Sequence, residues 1–122
     1  NQSADTAHKI EVIQWGMKLE SERRPPFDPI AHETTAQTGL RHRDGTVSMA
    51  RSRPGSAAGE FFICIGDQPE LDFGGRRIPD GQGFAAFGQV VEGMDVVRKL
   101  HGLGGLQQFM DETIPVVSVR RL

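Results

Sequence analysis

Cysteine is nearly missing from this chain. The one thiol, Cys64, has no partner for an internal disulfide, so the redox compartment stays open. It stands inside the apolar run Phe61-Phe62-Ile63-Cys64-Ile65, where a thiol is a small buried hydrophobe rather than a nucleophile. One cysteine excludes a paired-cysteine zinc site, and the four histidines show no HxxxH spacing. A surplus of one charge is also missing. The formal net charge is −2 with 25% charged residues, so no global field draws the chain to nucleic acid or to an anionic membrane. No apolar stretch reaches the roughly 20 residues needed to span a bilayer, and no signal-peptide pattern is visible. There is no Gly-x-Ser-x-Gly elbow. No glycine run links a strand to a helix with phosphate-cradling spacing. Gly102-Leu103-Gly104-Gly105 instead follows the best helical segment.

What is present is a small core's worth of apolar residues, cut into short runs. The 122 residues suffice for one domain and are too few for two, so residues 1–122 are read as a single domain. Glycine and proline punctuate the whole length, which argues for short strands and long loops. Residues 9–15 (KIEVIQW) read as a strand whose alternation slips at Val12-Ile13, implying a bulge or burial on both sides. Residues 46–50 (TVSMA) and 60–65 (EFFICI) are the clearest strands, joined by the polar, small-residue loop 51–59. Residues 84–90 (FAAFGQV) predict a fourth strand and 114–120 (IPVVSVR) a closing one. Residues 20–29 and 68–83 read as loops, and 32–42 hold at most one helical turn. Residues 94–101 are the best helix, with Met94, Val97 and Leu100 or His101 at helical spacing, basic residues in the last turn and Gly102 as its stop. The pattern predicts a β-barrel or sandwich with a covering helix.

The remaining candidates are modest. Arg41, His42, Arg43, Arg51 and Arg53 cluster in sequence, but without interleaved aromatics they read as a solvated face. Gln14, Met49, Ala50, Phe62, Leu71, Phe84 and Phe87 taken singly read as core or strand residues.

Their order carries more. Gly45-Thr-Val-Ser-Met-Ala-Arg51-Ser is followed by Ser56-Ala-Ala-Gly-Glu-Phe61-Phe62-Ile-Cys64, then Leu71-Asp72, then Phe84-Ala-Ala-Phe87-Gly88-Gln-Val-Val-Glu-Gly93-Met94. Upstream stands Val12-Ile-Gln14-Trp-Gly16. From about Ile10 to the C-terminus this resembles the cyclophilin-type prolyl isomerases, in their bacterial branch. The resemblance implies a mainly β fold, an eight-stranded antiparallel barrel with capping helices, here lacking its N-terminal strands. It implies cis–trans isomerisation of Xaa-Pro bonds in protein folding, with no cofactor and no metal. Proline-containing peptides or unfolded segments would be the partners, not nucleic acid or membrane. By position, Gln14 and Phe62 would be catalytic. Val12, Met49 and Leu71 would join Phe62 around the proline ring, and the backbone of Arg51 would pair with the peptide. Ala50, Ser52 and Ser56 would border the neighbouring pocket, and Glu60 and Phe84 complete the binding set. The compartment would be bacterial cytoplasm or periplasm.

The departures from the family pattern define the alternative. The family's arginine, carried in a Phe-x-Arg motif, has no counterpart in the 122 residues. The compact spacing would put it near Thr6, and a longer connection would put it before Asn1. The missing strands are therefore expected elsewhere in the molecule, or replaced by a swapped strand from a second copy. Glu11 stands for a pocket phenylalanine, Glu60 for a glutamine, Glu70 for an aromatic, Phe84 for histidine or tyrosine, Arg51 for asparagine and Trp15 for glycine. The loop 73–83 is longer than in compact members. The alternative reading is thus a catalytically weak or inactive cyclophilin-like peptide-binding module.

Overall fold

The computed structural model describes residues 7–16, 26–105 and 110–122. Thr6 and the first part of the 20–29 loop lie outside them. Four strands, β1 (Val12–Gly16), β2 (Thr46–Met49), β3 (Glu60–Cys64) and β4 (Ala85–Gln89), form one sheet in the order β1-β3-β2-β4, with every pairing antiparallel. The described residues thus hold four of the eight expected strands, and the sheet does not close into a barrel.

Register decides which side chains share a face. Gln14 lies opposite Phe62, Phe62 opposite Ser48 and Ser48 opposite Ala86. Side chains of opposed residues project to the same side, so these four form one row across the sheet. The next row is on the reverse side: Trp15, Phe61, Met49 and Ala85, with the Trp15 and Phe61 rings 6.1 Å apart. The core cluster lies on the Phe62 side. It comprises Ile10, Phe62, Cys64, Leu71 and Phe84, flanked by half-buried Val12, Ala50 and Ile78.

The slip in alternation at Val12-Ile13 is resolved by burial on both sides, since both residues are half-buried and β1 keeps a regular register with β3. The bulge occurs instead in β4. Val47 pairs with Gly88 and Ser48 with Ala86, which leaves Phe87 as the extra residue and turns its ring outward, 57% exposed.

The expected helical turn is α1 (Thr35–Thr38). The Thr34 hydroxyl accepts from the Gln37 N–H, the Gln37 side chain accepts from the Thr34 N–H, and Gly39 ends the turn in the left-handed region. The longer helix, α2 (Met94–Leu103), buries Val97 and lies against β1. It runs through Gly102, which was expected to stop it, and ends at Gly104. A helical glycine costs only about 1 kcal/mol relative to alanine, less than packed flanking turns can hold. The expected closing strand over residues 114–120 does not form. Val117 and Val119 are 95% and 83% exposed. A β-pattern alone supplies no partner for its main-chain groups, and among the described residues no strand lies beside it.

A turn of 3-10 helix (Pro69–Leu71) drives Leu71 to complete burial, and the chain returns over it at Gly83 and Phe84. The Phe84 N–H donates to the Leu71 carbonyl at 2.9 Å. Gly83 has φ +64, and a Cβ there would meet the Leu71 and Asp72 main chain at 2.5 Å. Only glycine allows so close an approach. Cys64 is fully buried, and burial pushes its thiol up to about 12. It is therefore expected to resist a maleimide or disulfide reagent at pH 8 in the native protein and to react at once in denaturant. Rapid native labelling would contradict this packing.

Candidate functional site

Phe62 is held from three sides. Its ring meets Phe84 edge-on at 5.5 Å and stacks with the His42 imidazole at 6.0 Å, while Leu71 completes the apolar floor. Val12 and Ala50 pack on the rim of the same cluster. Gln14 is exposed above it, in register with Phe62, and its amide Nε2 donates to the Glu60 carboxylate at 3.0 Å. Beside them β2 ends at Met49. The Ala50 N–H still donates to the Glu60 carbonyl, while the main chain of Arg51 has no partner among the described residues. An apolar floor, an amide side chain and a free main-chain edge thus lie next to one another.

The structure brings together Gln14, Phe62, Val12, Ala50, Leu71, Phe84 and Glu60. It does not bring Met49 with them. Met49 is opposite Phe61 and Ala85, on the far side of the sheet from Phe62. A single position along a strand reverses the face, and the motif alone did not reveal that parity. Ser52 and Ser56 sit in the loop after β2 and bond chiefly within it. The Ser56 Oγ accepts from the N–H groups of Ser52 and Arg53 at 3.1 and 3.0 Å and donates to the Arg53 carbonyl at 2.7 Å. They shape the loop that carries the Arg51 edge.

Two residues hold this arrangement in ways that sequence reasoning missed. His42, grouped there with a solvated basic cluster, has a fully buried side chain. Asp72 Oδ1 accepts from both its main-chain N–H (2.9 Å) and its Nδ1–H (2.8 Å), and its Nε2 lies 2.9 Å from the Ser48 hydroxyl, which donates to it. The trio ties β2 to the turn bearing Leu71, directly behind Phe62. Burial lowers the His42 pKa, against the opposing pull of Asp72. No water or substrate reaches Ser48, which is 0% exposed, so the trio is structural rather than a hydrolytic triad.

Arg51 is the second. Its side chain is 1% exposed. The guanidinium bonds both Asp80 oxygens at 2.8 and 3.0 Å, donates from Nε to the Gly83 carbonyl at 2.9 Å, and lies 5.2 Å from the Phe84 ring centroid. The arginine that stands for the family's asparagine thus fastens the longer 73–83 loop against the site. The same hydrogen bonds hold the Asp80 carboxyl below its ordinary range. Glu70 is likewise engaged, by the Arg76 guanidinium and N–H, which pull its carboxyl down to about 2. The remaining basic residues of the sequence cluster, Arg41, Arg43 and Arg53, are exposed. An open, shallow groove of about 460 Å³ lies apart from the cluster, bordered by His32, Gln37, Pro54, Phe73 and Gln82, and contains none of the candidate residues. Among the described residues no group of histidine, cysteine and carboxylate side chains could hold a metal ion. No helix of the described residues is long and apolar enough to cross a membrane.

Two stability effects follow. Arg51→Ala leaves a buried carbonyl without its donor and should cost about 2–3 kcal/mol, with the 73–83 loop becoming the first site of limited proteolysis. His42→Ala should cost a similar amount, read by urea unfolding. The lowered His42 pKa means the unfolded chain binds the proton more readily. The native protein should therefore lose stability as pH falls below about 6.5, and the His42→Ala protein should lose that dependence.

Comparison with known proteins finds a match over residues 3–121 to the family described as "Cyclophilin type peptidyl-prolyl cis-trans isomerase/CLD". The chain is 38% identical over 105 residues to peptidyl-prolyl cis-trans isomerase B of Escherichia coli (strain K12), covering 85% of this chain and 60% of that protein. It is 35% identical over 105 residues to peptidyl-prolyl cis-trans isomerase cyp18 of Streptomyces antibioticus, covering 85% and 61%. It is 40% identical over 86 residues to peptidyl-prolyl cis-trans isomerase A of Dickeya dadantii (strain 3937), covering 70% and 42%. The chain thus spans about three fifths of the length of the first two relatives.

Proposed function

This chain belongs to the cyclophilin-type peptidyl-prolyl cis-trans isomerase family, and we propose that it binds Xaa-Pro segments of peptides or unfolded proteins over Phe62 and promotes their cis–trans isomerisation. One observation carries this reading. Gln14, Phe62 and the Arg51 main chain, which has no partner among the described residues, lie side by side, which is what a short extended peptide with one proline requires. The proline ring has an apolar floor in Phe62 and Phe84, backed from beneath by the fully buried Leu71. The Arg51 edge offers a carbonyl and an N–H to the peptide main chain in β fashion. The Gln14 amide donates to a peptide carbonyl.

The reaction asks for no nucleophile. Amide resonance sets a barrier of about 18–20 kcal/mol, so an uncatalysed Xaa-Pro bond turns over in tens to hundreds of seconds. Fixing the ring while the preceding carbonyl rotates favours the twisted amide, provided contacts are stronger to the twisted than to the planar form. In that twisted form the amide nitrogen becomes pyramidal and carries a lone pair, which a positioned donor would stabilise. The family assigns that donor to the Phe-x-Arg arginine, a motif not found in these 122 residues.

That departure, together with the Gln14 amide being engaged by Glu60, favours a second reading, a peptide-binding module of low activity. Exchange spectroscopy on an Ala-Pro peptide with the full-length protein separates the two. The isomerase should raise the cis–trans exchange rate at least tenfold, and Phe62→Ala should remove most of that gain. Binding shifts without faster exchange would favour the module, and neither shifts nor exchange would sink both.

A further inference from the structure

Glu60 stands in the site itself, at the end of β3 and on the same face as Phe62. Its carboxylate is aimed rather than loose. Gly16 lies opposite it, and a Cβ there would fall 2.3 Å from the Glu60 Cγ, so only a glycine leaves the slot through which the side chain crosses toward Gln14. The carboxylate is exposed, and among the described residues its one partner is the neutral Gln14 amide at 3.0 Å. The other charged groups next to the site are already matched: Arg51 by Asp80 and Glu70 by Arg76. Glu60 is therefore a carboxylate on the Phe62 face that no described cation neutralises.

We propose that Glu60 makes the groove select peptides with a basic side chain on the N-terminal side of the proline. The inference rests on the isomerase or peptide-binding reading above. A peptide running along the Arg51 edge with its proline over Phe62 carries its preceding residues past Glu60, whose own carbonyl accepts from the Ala50 N–H. A lysine or arginine there takes over the carboxylate and releases the Gln14 N–H it holds, so that the amide is free to turn and donate to the peptide carbonyl. An acidic residue there is repelled and leaves one of the two Gln14 N–H groups on Glu60. Glu60 thus acts twice, as a charge that recognises and as a latch on the amide that binds.

The test uses three otherwise identical peptides with lysine, alanine or glutamate immediately before proline, measured on the full-length protein for dissociation constant and for exchange rate. Exposed charge pairs act weakly, so the expected preference of lysine over glutamate is about fivefold, shrinking at high salt. Glu60→Gln should bring the ratio near one, and Glu60→Lys should invert it. The wild-type ratio and its salt dependence stand without either variant. Equal affinities for the lysine and glutamate peptides would overturn the selectivity while leaving the isomerase reading intact. Ordered affinities without accelerated exchange would uphold the selectivity and remove the isomerase. No binding of any peptide would overturn both.

Discussion

A buried imidazole bridges the two halves of the described structure. His42 accepts from Ser48 on β2 and donates to Asp72 on the turn that carries Leu71. The groups it joins are 6 and 30 residues away in sequence. Phe62 stacks on the far side of the ring. Removing any member would leave a buried polar group without its partner, which costs more than a hydrogen bond contributes. Among the described residues no buried side-chain polar atom lacks a partner. Phe62 is thus held in place because the polar network behind it is fully satisfied.

The same logic sorts the charges around the site. Arg51 is buried and doubly matched by Asp80, so its charge serves architecture and does not reach a ligand. Glu70, which departs from the family's aromatic, closes the start of the 73–83 loop on Arg76 instead of lining the floor. Glu60 differs from both because its partner is neutral. Three departures from one family pattern therefore have three physical meanings. Only the placement of each side chain tells them apart.

Much of the fold was legible in sequence. The runs TVSM, EFFIC and AAFGQ became β2, β3 and β4 within a residue or two of expectation, because alternation and β-branched or aromatic content are local properties. The helix start at Met94 was equally local. The run at 114–120 had the same local character and formed no strand, since a strand is a pairing and not a property of one segment. Phe62, Leu71 and Phe84 share one cluster, and Met49 lies on the other face, because its neighbours on the sheet are set by register with two other strands.

By itself the sequence determined the family, the mainly β character and the residue types of the groove, all of which are carried by order and spacing along the chain. The tertiary structure decided which face each residue took, that His42 went inside, that Arg51 fastened a loop 29 residues away, and that Glu60 met Gln14 across 46 residues. Those outcomes depend on strand register and loop return, which bring together groups with no local signal of each other. Burial then fixes whether a charge is a strut or a contact for a ligand.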